Sequence, residues 1–129
     1  MAVNAFTVLQ PVSGETGIDP DARLVLVGSS FSGTGSWRER RWQVSRTNSF
    51  PASATNLVWD GQLRVSDGQL FWGQGADAFG DMMRLALGTT YYVSGYDRND
   101  SSLSGAWATA SSFTTRSDRL TAVRFRLGH

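Results

Sequence analysis

The chain of 129 residues contains no cysteine and no lysine, and its one histidine is the last residue, His129. Without cysteine it can form no disulfide, no thiolate zinc site and no thiol nucleophile. A terminal histidine is poorly placed for a Ser-His-Asp triad or a histidine metal cluster, because terminal residues are usually mobile. The composition therefore argues against an enzyme, and we predict no catalytic residue, no metal site and no cofactor.

The sequence also lacks a large net charge and a long hydrophobic run. Twelve arginines nearly balance 11 acidic residues, so the formal net charge is +1. Such a balance provides no general field that would attract nucleic acid or an anionic membrane. The N-terminal "MAVNAFTVLQPV" has no basic start followed by a long apolar run, so we expect no signal peptide, and no apolar segment of about 18 residues predicts a membrane span. We predict neither nucleic acid nor membrane as a partner, and expect synthesis in the cytoplasm if Met1 is the natural start.

Most of the sequence consists of short runs in which apolar and polar residues alternate, and turn residues separate these runs. Fourteen glycines, together with Ser, Asp and Pro clusters, supply the turns. This pattern predicts an all-β sandwich or barrel. A helix of one or two turns is plausible only at 77–87, where Gly80 argues against a longer one. The predicted strands lie at 5–12, 22–29, 40–46, 56–60, 90–96, 108–115 and 119–127, and a Ser-Asp-Gly turn between two alternating runs predicts a hairpin at 62–72.

The stretch "LALGTTYYV" at 85–93 predicts how the chain passes between two sheets. In immunoglobulin-like folds, a tyrosine near the start of strand F turns its hydroxyl back to the backbone a few residues upstream. The stretch resembles the Leu-x-Pro-Gly-Thr-x-Tyr-x-Val pattern of fibronectin type III domains. Leu85, Gly88, Tyr91 and Val93 stand at matching positions, and Leu87 stands where proline is usual.

This resemblance covers about residues 5 to 116 and implies a fibronectin type III-like β-sandwich. It implies about seven antiparallel strands, with an extra C-terminal strand or arm. Tyr91 would be the corner residue, and strand alternation would turn Tyr92 and Ser94 outward. Trp42 is predicted to be core and lies on the third strand as in immunoglobulin domains, whereas fibronectin type III domains usually carry their tryptophan on strand B. We divide the chain into a sandwich at 1–116 and an arm at 117–129.

The predicted arm carries an apolar stripe. Val123, Phe125 and Leu127 share one face, and Arg124 and Arg126 share the other. Burying such a stripe would contribute roughly 1.5–3 kcal/mol for each large side chain. The arm could fold back as an eighth strand, or it could add to the sheet of a neighbour as a docking arm.

The stretch "SGTGSWRERRW" at 32–42 is predicted to be a flexible surface loop. Trp37, Arg38, Arg40 and Arg41 are its candidate interaction residues, because arginine forks and an exposed ring could hold an acidic partner or a glycan. The other tryptophans, predicted near loops or strand ends where their rings could stack on sugars or close the sandwich, are Trp59, Trp72 and Trp107. The aspartates at 17–22 and 96–102 are predicted to be turn residues rather than calcium ligands.

These features predict a structural or interaction module without enzymatic activity. A self-contained module of this kind, made without export, suggests a virion surface protein of a tailed phage, either a capsid decoration or a tail- or fibre-associated protein. Its partner would be a capsid, tail or fibre subunit, and its location the virion. The alternative is an extracellular carbohydrate-binding accessory module of a secreted bacterial enzyme. The oligomeric state stays open.

Overall fold

The computed structural model describes residues 2–20, 24–64, 76–77 and 85–117, with only the backbone given for 76–77. Within these residues the chain forms strands and no helix, and hence none long and apolar enough to cross a membrane. The all-β prediction is confirmed. The eight strands of the described part are β1 (Val8–Gln10), β2 (Glu15–Ile18), β3 (Val25–Gly28), β4 (Trp37–Ser45), β5 (Leu57–Arg64), β6 (Ala76–Asp77), β7 (Thr90–Asn99) and β8 (Ser111–Thr115).

The strands form two sheets. One sheet has the order β1-β3-β6, and the other has the order β2-β8-β7-β4-β5. The antiparallel pairs β4–β5 and β4–β7 are the longest, and they place Trp42 opposite both Gly61 and Gly95. The five-stranded sheet is the larger of the two sheets in the described part. The candidate site lies on its outer face.

The first strand of the sandwich is divided between the sheets. β1 pairs antiparallel with β3, and β2 then pairs with β8 in parallel. The chain changes sheets at Pro11, which has no N–H to donate to a ladder, and the Ser111 hydroxyl donates to the Pro11 carbonyl at 2.6 Å. β2–β8 is the one parallel pair among the named strands of the described part, because a strand that has crossed to the second sheet meets β8 running in the same direction.

The core lies between the sheets and follows the strand alternation. On β7, Tyr91 and Val93 are buried, and Tyr91 packs on Phe113 of β8 with ring centroids 5.6 Å apart. Trp42 is fully buried on β4, as predicted, and the ring of Phe6 meets it edge-on at 4.9 Å. Burying large aromatic rings of this kind supplies most of the hydrophobic stabilisation in a sandwich of this size.

The turn before β7 has the geometry that the sequence pattern predicts. The Tyr91 hydroxyl accepts a hydrogen bond from the backbone N–H of Ala86 at 2.7 Å, and Leu85 is buried beside it. Gly88 has a φ of +57°, a left-handed conformation that favours glycine. Tyr92 is half-buried on the outer face. Ser94, predicted to face outward, lies on the same face by strand alternation but is fully buried, and its hydroxyl donates to the Ala108 carbonyl at 2.6 Å.

Several predicted segments lie outside the described residues. They include the strand at 119–127, most of the possible helix at 77–87 and the second half of the hairpin at 62–72. The division of the chain at 116/117 therefore stays a prediction. The docking-arm residues, all outside the described part, are Val123, Arg124, Phe125, Arg126 and Leu127.

Candidate functional site

The predicted interaction loop is a strand over most of its length, since β4 begins at Trp37. Trp37 is only 8% exposed, and its indole N–H donates to Asp97 at 3.1 Å. Arg40 is fully buried. The prediction that Trp37 and Arg40 face a partner is therefore wrong, because both side chains point into the sandwich. Arg38 and Arg41 do reach the surface, with 45% and 38% of their side chains exposed.

Arg40 is held in the interior by Asp97. The Arg40 Nε and Nη2 atoms donate to the two carboxylate oxygens of Asp97 at 2.6 and 2.8 Å, and Nη2 also donates to the Ser29 carbonyl at 2.8 Å. The guanidinium lies over the rings of Phe6 and Trp37, 3.9 and 4.7 Å from their centroids. A guanidinium with this much cover has no route to a ligand, so we assign Arg40 and Asp97 a structural role.

The outer face of the five-stranded sheet presents a depression with aromatic walls, which we call the aromatic cleft. It is open, has a volume of about 340 Å³ and lies above the middle of β4 and β7. Pockets of roughly 300–1,000 Å³ with aromatic walls and a few oriented polar groups are typical of small-ligand sites. The residues that line it are Arg41, Gln43, Pro51, Tyr96, Ser104, Gly105 and Trp107.

Tyr96 and Trp107 form the aromatic wall of the cleft, and Phe50 packs against Trp107. The Trp107 ring meets Tyr96 edge-on with centroids 4.9 Å apart, and it stacks on Phe50 at 5.7 Å. Tyr96 reaches the outer face by the alternation of β7, and Trp107 is brought over it where the chain beside β7 is irregular, between Ser104 and β8. All three rings are half-buried. Edge-on and offset contacts of this kind hold the rings in place while leaving apolar surface toward the cleft.

The polar floor of the cleft is also held in place. Arg41 donates to Asp60 on the neighbouring strand through Nε at 2.9 Å and through Nη2 at 2.5 Å. The hydrogen bond to Asp60, and then the one to Tyr96, raise the pKa of the Arg41 guanidinium above its usual value. Gln43 accepts the backbone N–H of Ala52 at 2.9 Å, which ties the loop that carries Phe50 to the sheet. The aromatic rings and the polar side chains of the cleft are therefore held in fixed positions by their neighbours.

Trp107 also lines a second open depression. This depression has a volume of about 410 Å³ and is lined by parts of the first strand region and of the segment before β8, including Thr7, Ser13 and Thr109. A ligand long enough to occupy both depressions would therefore contact Trp107 in each of them.

Arginines surround one buried carboxylate at the end of the same sheet face, a group we call the arginine cluster. Arg38, Arg64 and Arg98 place a guanidinium nitrogen 3.8, 3.8 and 3.6 Å from Glu39. The Glu39 side chain is 2% exposed, and its second oxygen accepts a hydrogen bond from Gln62 at 2.6 Å. Three guanidinium groups of the described residues therefore lie around one covered carboxylate.

Sequence reasoning missed the residues that matter most here. The aspartate of 96–102 that was assigned to a turn, Asp97, is instead the buried partner of Arg40. Trp107 was expected only near a strand end, and Trp59 packs partly buried against the core. Trp72 and His129 lie outside the described residues. Alternation could have found Tyr96, since it shares the outer face with Tyr92, but the pairing with Trp107 depends on how the chain folds beside β7.

No group of three or more His, Cys, Asp or Glu side chains in the described ranges comes together as a metal site would require. This finding covers residues 2–20, 24–64 and 85–117.

Comparisons with known proteins support the fold and no finer identity. No protein-family model matches the chain, and no curated protein matches it. Among solved structures, the chain is similar to the Streptomyces avermitilis α-L-rhamnosidase complexed with L-rhamnose. The TM-score is 0.51 and the sequence identity is 20% over 89% of this chain. The chain spans only 10% of that enzyme's length. The likeness is consistent with an immunoglobulin-like β-sandwich.

Proposed function

We propose that this chain is a non-enzymatic carbohydrate-binding module and that the aromatic cleft is its binding site. The observation that carries the proposal is the combination of Trp107 and Tyr96 with the forked polar groups of Arg41 and Gln43 in one open depression. Sugars present apolar C–H faces that pack on aromatic rings. They also present neighbouring hydroxyls, which pair with planar donors and acceptors such as guanidinium and amide groups.

The fibronectin type III resemblance belongs to the same proposal. It is supported by the Tyr91 corner, by the division of the sheets into β1-β3-β6 and β2-β8-β7-β4-β5, and by the left-handed Gly88. We expect a module of this shape to bind its ligand on a sheet face or on loops rather than in a catalytic cavity. The structural neighbour is a rhamnosidase solved with L-rhamnose. L-Rhamnose and rhamnose-containing polysaccharides therefore belong among the first ligands to test.

The test is a titration of the purified chain with a panel of neutral and acidic oligosaccharides, followed by isothermal calorimetry. We expect saturable binding to at least one member, weakened by at least about tenfold in Trp107→Ala, because a stacking ring at the centre of a binding site contributes strongly. Trp59→Ala is the matched control. It removes another partly buried tryptophan of the same sheet that does not line the cleft.

Circular dichroism must show that both variants fold. Equal affinity in Trp107→Ala and wild type would contradict the proposed site, and binding to no member of the panel would contradict the proposed function. Incubation with aryl glycosides should release no aglycone, as expected for a module without catalysis.

The virion-surface prediction stays a prediction. None of the contacts within the described residues is specific for a capsid, tail or fibre subunit, and the predicted docking arm lies outside them. Co-sedimentation with particles from the same genome would test it independently of sugar binding.

A further inference from the structure

We infer that the aromatic cleft binds its carbohydrate as a chain of several units, and that this chain continues past Trp107 into the second depression. The inference rests on the proposed function. It adds the length class of the ligand and assigns binding residues outside the cleft. It starts from Trp107, because this residue lines both depressions.

One segment of the protein contributes to both depressions. Ser104 and Gly105 line the aromatic cleft, and Thr109 and Ser111 line the second depression. Trp107 stands between these two pairs in the sequence and lines both. A ligand that leaves the cleft past Trp107 would therefore enter the second depression while it still contacts the same indole ring.

The distance between the depressions is fixed, because β7 holds this segment. The backbone N–H groups of Gly105 and Ala108 donate to the carbonyls of Asp97 and Gly95 at 2.8 Å. Between these two bonds the segment uses three residues where β7 uses two, as in a β-bulge. The segment then continues into β8, which pairs with the same strand. Two contact areas held in this way need no rearrangement before a ligand spans them.

Hydroxyl groups, rather than charges, line the second depression. No ionisable side chain of the described residues lines it, whereas Arg41 lines the cleft. Thr7, Ser13 and Thr109 are exposed, and their hydroxyls make no hydrogen bond within the described part of the chain. Such hydroxyls can both donate to and accept from the hydroxyls of a sugar. The unit bound in the second depression is therefore a neutral one.

The sizes of the depressions also favour a chain over a single sugar. Their volumes are about 340 and 410 Å³. Each lies in the lower part of the range of roughly 300–1,000 Å³ that is typical of small-ligand sites. When one ligand joins two such contacts, the second contact forms within the complex, and the overall affinity exceeds that of either contact alone. Single units should therefore bind weakly, and chains more tightly.

The decisive experiment measures affinity against chain length by isothermal calorimetry on the full chain. The probes are L-rhamnose and the rhamno-, manno- and xylo-oligosaccharides of one to six units. We expect at least one series to bind about tenfold more tightly at four units than at one, with one tetramer for each protein chain. In amide NMR spectra, the single unit should shift the signals of Tyr96 and Ser104. The tetramer should also shift those of Thr7 and Thr109.

Variants locate the gain in affinity. The double variant Thr7→Val and Thr109→Val removes two hydroxyls from the second depression and keeps the shape of both side chains. It should weaken binding of the tetramer at least about fivefold and binding of the single unit less than about twofold. Thr47→Val is the matched control, because it changes an exposed threonine that lines neither depression. Circular dichroism must show that the variants fold.

Each result decides the inference. Equal affinity for one and four units that is lost in Trp107→Ala would overturn the inference and leave the proposed function standing. Two tetramers bound to each chain would also overturn it, since the depressions would then be separate sites. Equal effects of Thr47→Val and of the double variant would overturn the role of the second depression. Binding of none of the probes and no member of the wider panel would overturn the proposed function, and the inference with it.

Discussion

Arg40 and Asp97 form an ion pair with two short hydrogen bonds, and neither side chain reaches the solvent. The pair joins β4 to β7 beneath the outer face. A second ion pair, Arg41–Asp60, lies at the surface and joins β4 to β5. The Arg41 and Asp60 side chains are 38% and 27% exposed. The two pairs have the same chemistry and differ in burial.

Burial makes the inner pair far more sensitive to loss of one partner. Asp97→Ala would leave Arg40 charged and unpaired in the interior, which costs about 3–5 kcal/mol of the free energy of unfolding. Asp60→Ala should cost under about 1 kcal/mol, because solvent screens the exposed pair. Urea unfolding of both variants measures the difference. Similar losses in the two variants would show that Arg40 is not confined to the interior.

The corner makes a second prediction, on the hydroxyl of Tyr91. Tyr91→Phe removes the acceptor of the Ala86 N–H and should destabilise the fold by about 1–3 kcal/mol. Tyr92→Phe removes the hydroxyl of the next residue, which faces the other side of the sheet, and should change stability by less than about 0.5 kcal/mol. Thermal unfolding checks both variants, and an unchanged midpoint in Tyr91→Phe would rule out the corner hydrogen bond.

A third prediction concerns Gly95, where β7 pairs with β4 opposite Trp42. A Cβ atom there would overlap the carbonyl oxygen of Arg41 and lie 2.9 Å from the Phe6 ring. The carbonyl is main chain in a paired strand and cannot move aside, so Gly95→Ala should cost about 1–3 kcal/mol or more. Thr90→Ala, at the exposed start of the same strand, should cost less than about 1 kcal/mol. Urea midpoints of wild type and both variants test this order.

Gln43 leads to a fourth prediction, on the loop that supports the cleft. Gln43→Ala leaves the Ala52 N–H without its acceptor, which costs about 1–3 kcal/mol. Because the loop carries Phe50, which stacks on Trp107, ligand affinity should also fall. Amide hydrogen exchange should accelerate at Ala52. The amide of Leu57, bonded to Ser53 in the same loop, serves as the internal reference. Equal acceleration at both amides would indicate loss of the whole loop instead.

The strand content and the tyrosine corner could be predicted because they are encoded locally. Alternation along β7 is enough to turn Tyr91 and Val93 inward, and a tyrosine after a Leu-x-Leu-Gly-Thr turn is enough to suggest the corner. These are relations between residues a few positions apart, where backbone sterics and strand period decide the outcome. The position of Trp42 in the core follows from the same period.

The candidate site could not be predicted in this way, because its members are far apart in the chain. Trp107 meets Tyr96 through an irregular segment beside β7, and it meets Phe50 through the loop between β4 and β5. The arginines of "RERR" look alike in sequence, yet Arg40 is buried and Arg41 lies in the cleft.

The sequence by itself therefore determined an all-β sandwich, its tyrosine corner and the absence of thiol chemistry, since period, turn residues and composition are local properties. Only the tertiary structure decided which charges are buried and which face the solvent. The partner of Arg40 is 57 positions away at Asp97, and burial of that pair depends on the packing of whole sheets. The same packing brought the rings together on one face and placed arginine side chains beside them.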